Sequence, residues 1–136
     1  MSAPPIRLRG LDHVVLRVAD VARAQRFYCE VLGCTVERTL EELGLYQLRA
    51  GAHLSDLVDV AAPLGRAGGP GPGVEGRNVD HFALQVSPFD EGAIRAHLEA
   101  HGVEVGEVAE RYGAEGNGPS LYLRDPDGNV VELKGV

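Results

Sequence analysis

One pattern is written twice along this 136-residue chain, and it restricts the possible folds more than any other feature. LDHVVLRV (11–18) and VDHFALQV (79–86) alternate apolar and polar positions and are rich in β-branched residues, so each reads as a strand. Asp-His stands at the same place in both, His81 following His13 by 68 positions. After the first strand, Asp20 is placed to cap a helix whose apolar positions, Val21, Ala24, Phe27, Tyr28 and Val31, recur at three and four, and Gly33 ends it. After the second, Asp90 starts a helix carrying Ala93, Ile94, His97, Leu98 and His101, ended by Gly102. A strand is predicted next in each copy, CTVERTL (34–40) and VEVGEV (103–108). The copies then close alike. LYQLRAGAHLSDLVDV (45–60) reads as strand, tight turn at Ala50-Gly51-Ala52 and strand; LYLRDPDGNVVEL (121–133) repeats this with Asp125-Pro126-Asp127-Gly128-Asn129 as the turn. Each half is β-α-β-β-β, and the fold class is α+β.

With one extra residue allowed in the second turn, Asp56-Leu57 falls on Glu132-Leu133. Module one then covers about 8–62 and module two about 78–136 of a single domain. The segment between them, about 63–77, is dense in Gly and Pro and reads as a linker without periodicity, either a flap over a pocket or a plain connection.

Apolar residues make up 44% and charged residues 24%, enough for an ordinary packed core. No run of roughly 18 apolar residues is present, so no membrane span is expected. MSAPPIRLRG at the N-terminus lacks the apolar centre of a signal peptide, which gives a cytoplasmic expectation. The net charge is −7 with no basic cluster, which argues against nucleic acid as a partner. Cys29 and Cys34 are expected as buried or half-buried free thiols.

The two halves agree best at positions able to bind a metal: His13 with His81 on the first strands, Asp56 with Glu132 on the last. A polar side chain on the inner face of a sheet costs free energy unless it finds a partner. Two imidazoles and two carboxylates converging on one point are satisfied together by a divalent cation. The mixed nitrogen and oxygen set favours Ni, Zn, Mn, Co or Fe over Ca or a thiolate cluster. Four ligands on an octahedral ion leave two adjacent positions open. If Asp56 does not reach the ion, the set becomes two His and one carboxylate with three open positions; Asp59 on the same strand competes with Asp56. His97 and His101, at helical spacing, sit beside a helix C-terminus where the dipole favours them, and His53, beside a turn, is expected to face solvent.

From Leu11 to Leu133 the chain resembles the vicinal oxygen chelate superfamily, which includes glyoxalase I, extradiol ring-cleaving dioxygenases, fosfomycin-modifying enzymes and bleomycin-binding proteins. LDHVVLRVADVARAQRFYCEVLG, VDHFALQV and, most specifically, LYLRDPDGNVVEL carry the resemblance, which is closest to small glyoxalase-I-like proteins. It implies two modules, each curling an open half-barrel sheet around a metal cleft. The implied ligands are His13, Asp56, His81 and Glu132; Asp56 departs from the glutamate usual in glyoxalase I and is one methylene shorter.

The implied activity is that of a lyase or isomerase on a small substrate with vicinal oxygens. A Lewis-acidic cation assists proton transfer there, with Glu132 as first choice of base and Asp56 second. Tyr122, Arg124, Arg111 and Tyr112 are available to orient the substrate. A non-haem Fe(II) ring-cleaving dioxygenase is the alternative, followed by a small-molecule or antibiotic-binding resistance protein and a thiol-transferring resistance enzyme. A homodimer is expected, in which His13 and Asp56 of one subunit can meet His81 and Glu132 of the other if the modules pair across chains.

Overall fold

The computed structural model describes residues 4–136; the first three residues of the stretch MSAPPIRLRG lie outside them. In module one, β1 (His13–Val18) leads into α1 (Val21–Arg26), and β2 (Thr35–Leu40), β3 (Leu45–Ala50) and β4 (His53–Asp59) come next. A short helix α2 (Pro63–Arg66) opens the linker. Module two contains β5 (Phe82–Val86), α3 (Glu91–Ala100), β6 (Ala109–Gly113), β7 (Gly116–Arg124) and β8 (Val130–Gly135). The strands form two open four-stranded mixed sheets of identical topology, β1-β4-β3-β2 and β5-β8-β7-β6. In each, the first strand runs parallel to the last and the other pairs are antiparallel.

The helix signals act as expected. Asp20 accepts from the Arg23 amide at 3.0 Å and Asp90 from the Ala93 amide at 3.1 Å. Gly33 and Gly102 take positive φ (84° and 72°), which an L side chain disfavours, and so stop the helices. Between Arg26 and Gly33 the helix widens into a π-turn, Phe27–Val31, that sets Phe27 and Tyr28 side by side in the interior.

Two expectations need correction. Residues 103–108 form no strand; the strand after α3 is β6, which pairs with β7 through the Gly113-Gly116 hairpin. Val103, Val105 and Val108 pack against the core, so their alternation is real, but it buries one side of a connecting segment outside the ladder. The linker is also not featureless. Pro63 starts α2, and the Arg17 guanidinium donates to the carbonyls of Gly65, Gly69 and Pro70. Arg17 is a clamp on the linker.

One face of each sheet builds the shared interior, with Leu16, Val18, Leu48 and Leu57 from module one and Leu121, Leu123, Val131 and Leu133 from module two, around Tyr28 and Leu98. Each such side chain contributes roughly 1.5–3 kcal/mol on burial. Polar ties fix the modules to each other. The Tyr28 hydroxyl donates to Asp125 Oδ2 at 2.7 Å, the Ala19 amide to Asp127 Oδ1 at 2.9 Å, and Asn78 Nδ2 to both Arg17 O and Asn129 Oδ1.

Both cysteines are free thiols, as expected. Burial pushes the Cys34 thiol up from 9.0 to about 11, with Cys29 adding to it, and burial followed by Asp125 raises the Tyr28 phenol well above 10.0. A pKa raised by folding gives stability that is present below the unfolded value and lost as pH climbs through the folded one. Stability to urea should therefore hold to pH 9 and fall between pH 9 and 11, and Cys34→Ala should flatten that part of the profile; an unchanged slope would exclude Cys34 as its source.

Candidate functional site

Alternate residues of a strand share a face, and the register assigns the ligand-capable side chains. In β4, Leu57 lies in the core and Asp56 faces the other side; in β8, Val131 and Leu133 lie in the core and Glu132 faces away. Across the parallel pairs, Val15 sits opposite Asp56 and Ala83 opposite Glu132, each two residues after its histidine. Asp56 and Glu132 are thus equivalent in three dimensions. Asp59 stands three residues on, an odd step that turns it to the opposite face. It caps the chain instead, accepting from the Ala61 amide at 2.8 Å.

Each histidine is oriented by the aspartate before it. His13 Nδ1 lies 2.7 Å from Asp12 Oδ1, and His81 Nδ1 lies 2.7 Å from Asp80 Oδ2. An ionised carboxylate only accepts, so Nδ1 carries the proton and Nε2 keeps its lone pair for a metal or a proton. The bond to Asp12 raises the His13 pKa, desolvation opposes this, and the Asp56 charge adds to the rise; the bond to His81 lowers that of Asp80.

His81 Nε2 reaches Glu132 Oε1 at 3.4 Å, so module two brings its predicted pair together. In module one, Asp56 is 1% exposed, accepts one bond from Gln47 Nε2 at 3.2 Å on Oδ2, and leaves Oδ1 buried without a partner. A buried, unpartnered carboxylate oxygen is costly, and a cation beside it would remove the cost. The donor chemistry therefore fits a divalent metal. Yet the four residues do not gather in one place: among the described residues, no three His, Cys, Asp or Glu side chains form a group able to hold an ion. One chain carries two repeat-equivalent His–carboxylate pairs, each a candidate half-site.

The other histidines have local roles. His97 Nε2 donates to Val31 O at 2.8 Å, joining α3 to the end of the π-turn, and His101 Nδ1 lies 3.0 Å from His97 O. His53 is only half exposed, with Nε2 3.3 Å from Ser55 Oγ.

Of the four residues read from sequence as able to orient a substrate, the structure brings two to the surroundings of Glu132. Tyr122, opposite Glu132 on β7, packs edge-on against His81 with ring centres 5.4 Å apart, and the Arg111 guanidinium lies 4.5 Å above the Tyr122 ring. Tyr112 is 81% exposed and Arg124 binds Gly128 O in its own turn, so neither contacts the half-site. Sequence reasoning missed Gln47 and the orienting role of Asp12 and Asp80, although the repeated Asp-His pair was the signal for the latter. A cleft of about 600 Å³ opens between the end of α3, residues 103–106 and β7, with Tyr122 on its border, but none of the four ligand-capable residues lines it.

Comparison with known proteins agrees with the two-module fold. Residues 10–133 match the Glyoxalase/Bleomycin resistance protein/Dioxygenase superfamily. The chain is 32% identical to virulence protein STM3117 of Salmonella typhimurium over 90% of its own length and 81% of that protein's. The solved structure of STM3117 superposes with a TM-score of 0.76 at 26% identity, covering 96% of this chain and 98% of that one. An integron cassette protein from the mobile metagenome of V. cholerae gives 0.74 at 28% identity, covering 96% and 97%. The glutathione transferase FosA of Serratia marcescens is 30% identical over 93% of this chain and 80% of its own length. No helix among the described residues is long and apolar enough to cross a membrane.

Proposed function

Because the chain belongs to the Glyoxalase/Bleomycin resistance protein/Dioxygenase superfamily, we propose that it is a metal-dependent lyase or isomerase of glyoxalase-I type, acting on a small substrate with neighbouring oxygens. The observation that carries the reading is the pair His81–Glu132 at 3.4 Å, matched at the same register by His13 and the unsatisfied Asp56. His13, Asp56, His81 and Glu132 would hold the ion, two from each of two chains in a homodimer. Ni, Zn, Mn, Co or Fe suits this donor set, and when bound it supplies Lewis-acid polarisation of a substrate oxygen.

The chain's own groups do the rest. Glu132, mostly buried, takes a proton from the substrate carbon, and its seclusion from water limits loss of that proton to bulk solvent. Asp80 holds the His81 ring so that Nε2 stays turned toward Glu132, and Tyr122 walls the half-site.

A second reading rests on Asp56. If its bond from Gln47 holds it back, the set reduces to His13, His81 and Glu132, which suits a non-haem Fe(II) dioxygenase. Elemental analysis of the purified protein, then turnover of the methylglyoxal–thiol adduct with Ni²⁺, Zn²⁺ or Fe²⁺ alongside oxygen uptake, tests both. Metal content followed by adduct isomerisation supports the lyase, and oxygen uptake on a catechol supports the second reading. Equal metal content in wild type and Glu132→Gln would sink both.

A further inference from the structure

Beyond the candidate metal half-site, the same face of module two holds two cations that no carboxylate among the described residues neutralises. Lys134 follows Glu132 by two on β8, so it shares the face of Glu132, yet it is only 4% exposed. Its ammonium donates to Gly135 O at 3.0 Å, one bond for three donors. Lys134 stands opposite Ser120 in the β7–β8 register, and from the other side Arg111 Nη1 donates to Ser120 O at 2.7 Å and to Ser120 Oγ at 2.8 Å. The guanidinium thus holds the buried Ser120 hydroxyl, while the ammonium lies against Gly118, the residue opposite Arg111 in the β6–β7 register. Among the described residues neither makes an ion pair with a carboxylate. Two acids of module two have other partners: Glu132 lies 3.4 Å from His81 Nε2, and Glu115 accepts from Gln85 Nε2 at 3.0 Å.

The surrounding residues leave room for the lysine. A Cβ on Gly118 would lie 2.9 Å from Lys134 Nζ and 2.6 Å from Gly135 O, and one on Gly113 would lie 3.3 Å from Lys134 Cε. The hairpin is cut away where the lysine runs beneath it. An ammonium buried without a counter-charge is costly, and a second cation on the same face adds to the cost.

We propose that Arg111, Ser120 and Lys134 form an oxyanion-binding subsite beside Glu132, so that the substrate carries a carboxylate or phosphoryl group next to its reacting carbon. This rests on the reading of Glu132 as part of the reacting site, but the subsite itself needs no metal. Arg111 supplies a planar donor pair already fixed by Tyr122 and Ser120, and Lys134 a mobile point charge on a flexible stem.

The test uses the full chain after chelator treatment, so its failure is separable from that of the metal-centred reading. Inorganic phosphate and acetate are titrated separately at constant ionic strength set with chloride, and the amide signals of Gly113, Gly118 and Ser120 are followed by NMR. Saturable shifts at those amides are expected with at least one anion, the tighter of the two identifying the group. Lys134→Met, which keeps the volume, should weaken binding at least tenfold while raising the thermal midpoint by a few degrees, because a buried unpaired charge is removed; Arg111→Met should weaken binding without that rise. Absence of saturable shifts in wild type with both anions, or unchanged binding in both variants, would overturn the proposal.

Discussion

Mixing chains that carry His13→Gln with chains that carry Glu132→Gln is expected to restore metal sites that neither variant forms alone. Each single variant should bind the ion at least ~100-fold more weakly, since loss of an outer hydrogen-bond partner alone typically costs 10–100-fold and here a ligand itself is lost. In a two-fold dimer whose ligands come two from each chain, a mixed dimer has one site with all four residues and one site missing two. Random reassortment makes half the dimers mixed, so about a quarter of all sites regain wild-type affinity. The basis is the separation within one chain: His81 meets Glu132 at 3.4 Å, Asp56 keeps Oδ1 without a partner, and no group of three ligands forms among the described residues. Metal titration by calorimetry or a competing chelator reads the tight fraction directly. Were each site built within a single chain, no reassortment could rescue it, and the tight fraction would stay at zero.

Much of this was legible in the sequence because the repeat places its polar exceptions at equal spacing. A histidine near the start of one strand and a carboxylate late in another identify a face wherever alternation is otherwise apolar, and β1–β4 and β5–β8 have that register. The choice between Asp56 and Asp59 needed only parity, since three residues along a strand reverse the side chain. The misplaced strand at 103–108 shows the limit of alternation. Val103 and Val105 bury one side against the core, as strand residues do, but pairing partners for their backbone are decided by the β6–β7 hairpin farther along. Lys134 was invisible for a related reason: a lysine in a terminal strand reads as solvent-facing, and the space that lets it lie buried is left by Gly113 and Gly118 on two other strands. How the half-sites lie relative to each other depends on long-range ties such as Arg17 to the linker carbonyls and Asn78 to Asn129, which no local pattern encodes.

Asp125→Ala is expected to be the most destabilising single substitution in the β7–β8 turn, by about 3–5 kcal/mol. The carboxylate is 5% exposed and accepts four hydrogen bonds: from Tyr28 Oη at 2.7 Å, Asn129 Nδ2 at 2.8 Å, the Asn129 amide at 2.8 Å and the Asp127 amide at 2.9 Å. Alanine removes the acceptor and leaves the donors behind, and each buried donor left unpaired costs roughly 1–3 kcal/mol. Tyr28→Phe removes one donor while Asp125 Oδ2 keeps its bond from Asn129, so its cost should stay near ~1 kcal/mol. Asp125→Asn should fall between the two, because an amide offers one acceptor oxygen where two are used. The loss also passes between modules. Tyr28 belongs to the π-turn of module one, and Asn129 holds Asn78, which in turn binds the backbone of Arg17 in β1. With total stability of about 5–15 kcal/mol for a domain of this kind, the variant should unfold at markedly lower urea, and the cycle Tyr28→Phe, Asp125→Ala should show coupling above ~0.5 kcal/mol. Additive effects within error would mean that Tyr28 and Asp125 act separately, and the link from helix to turn would then be packing alone.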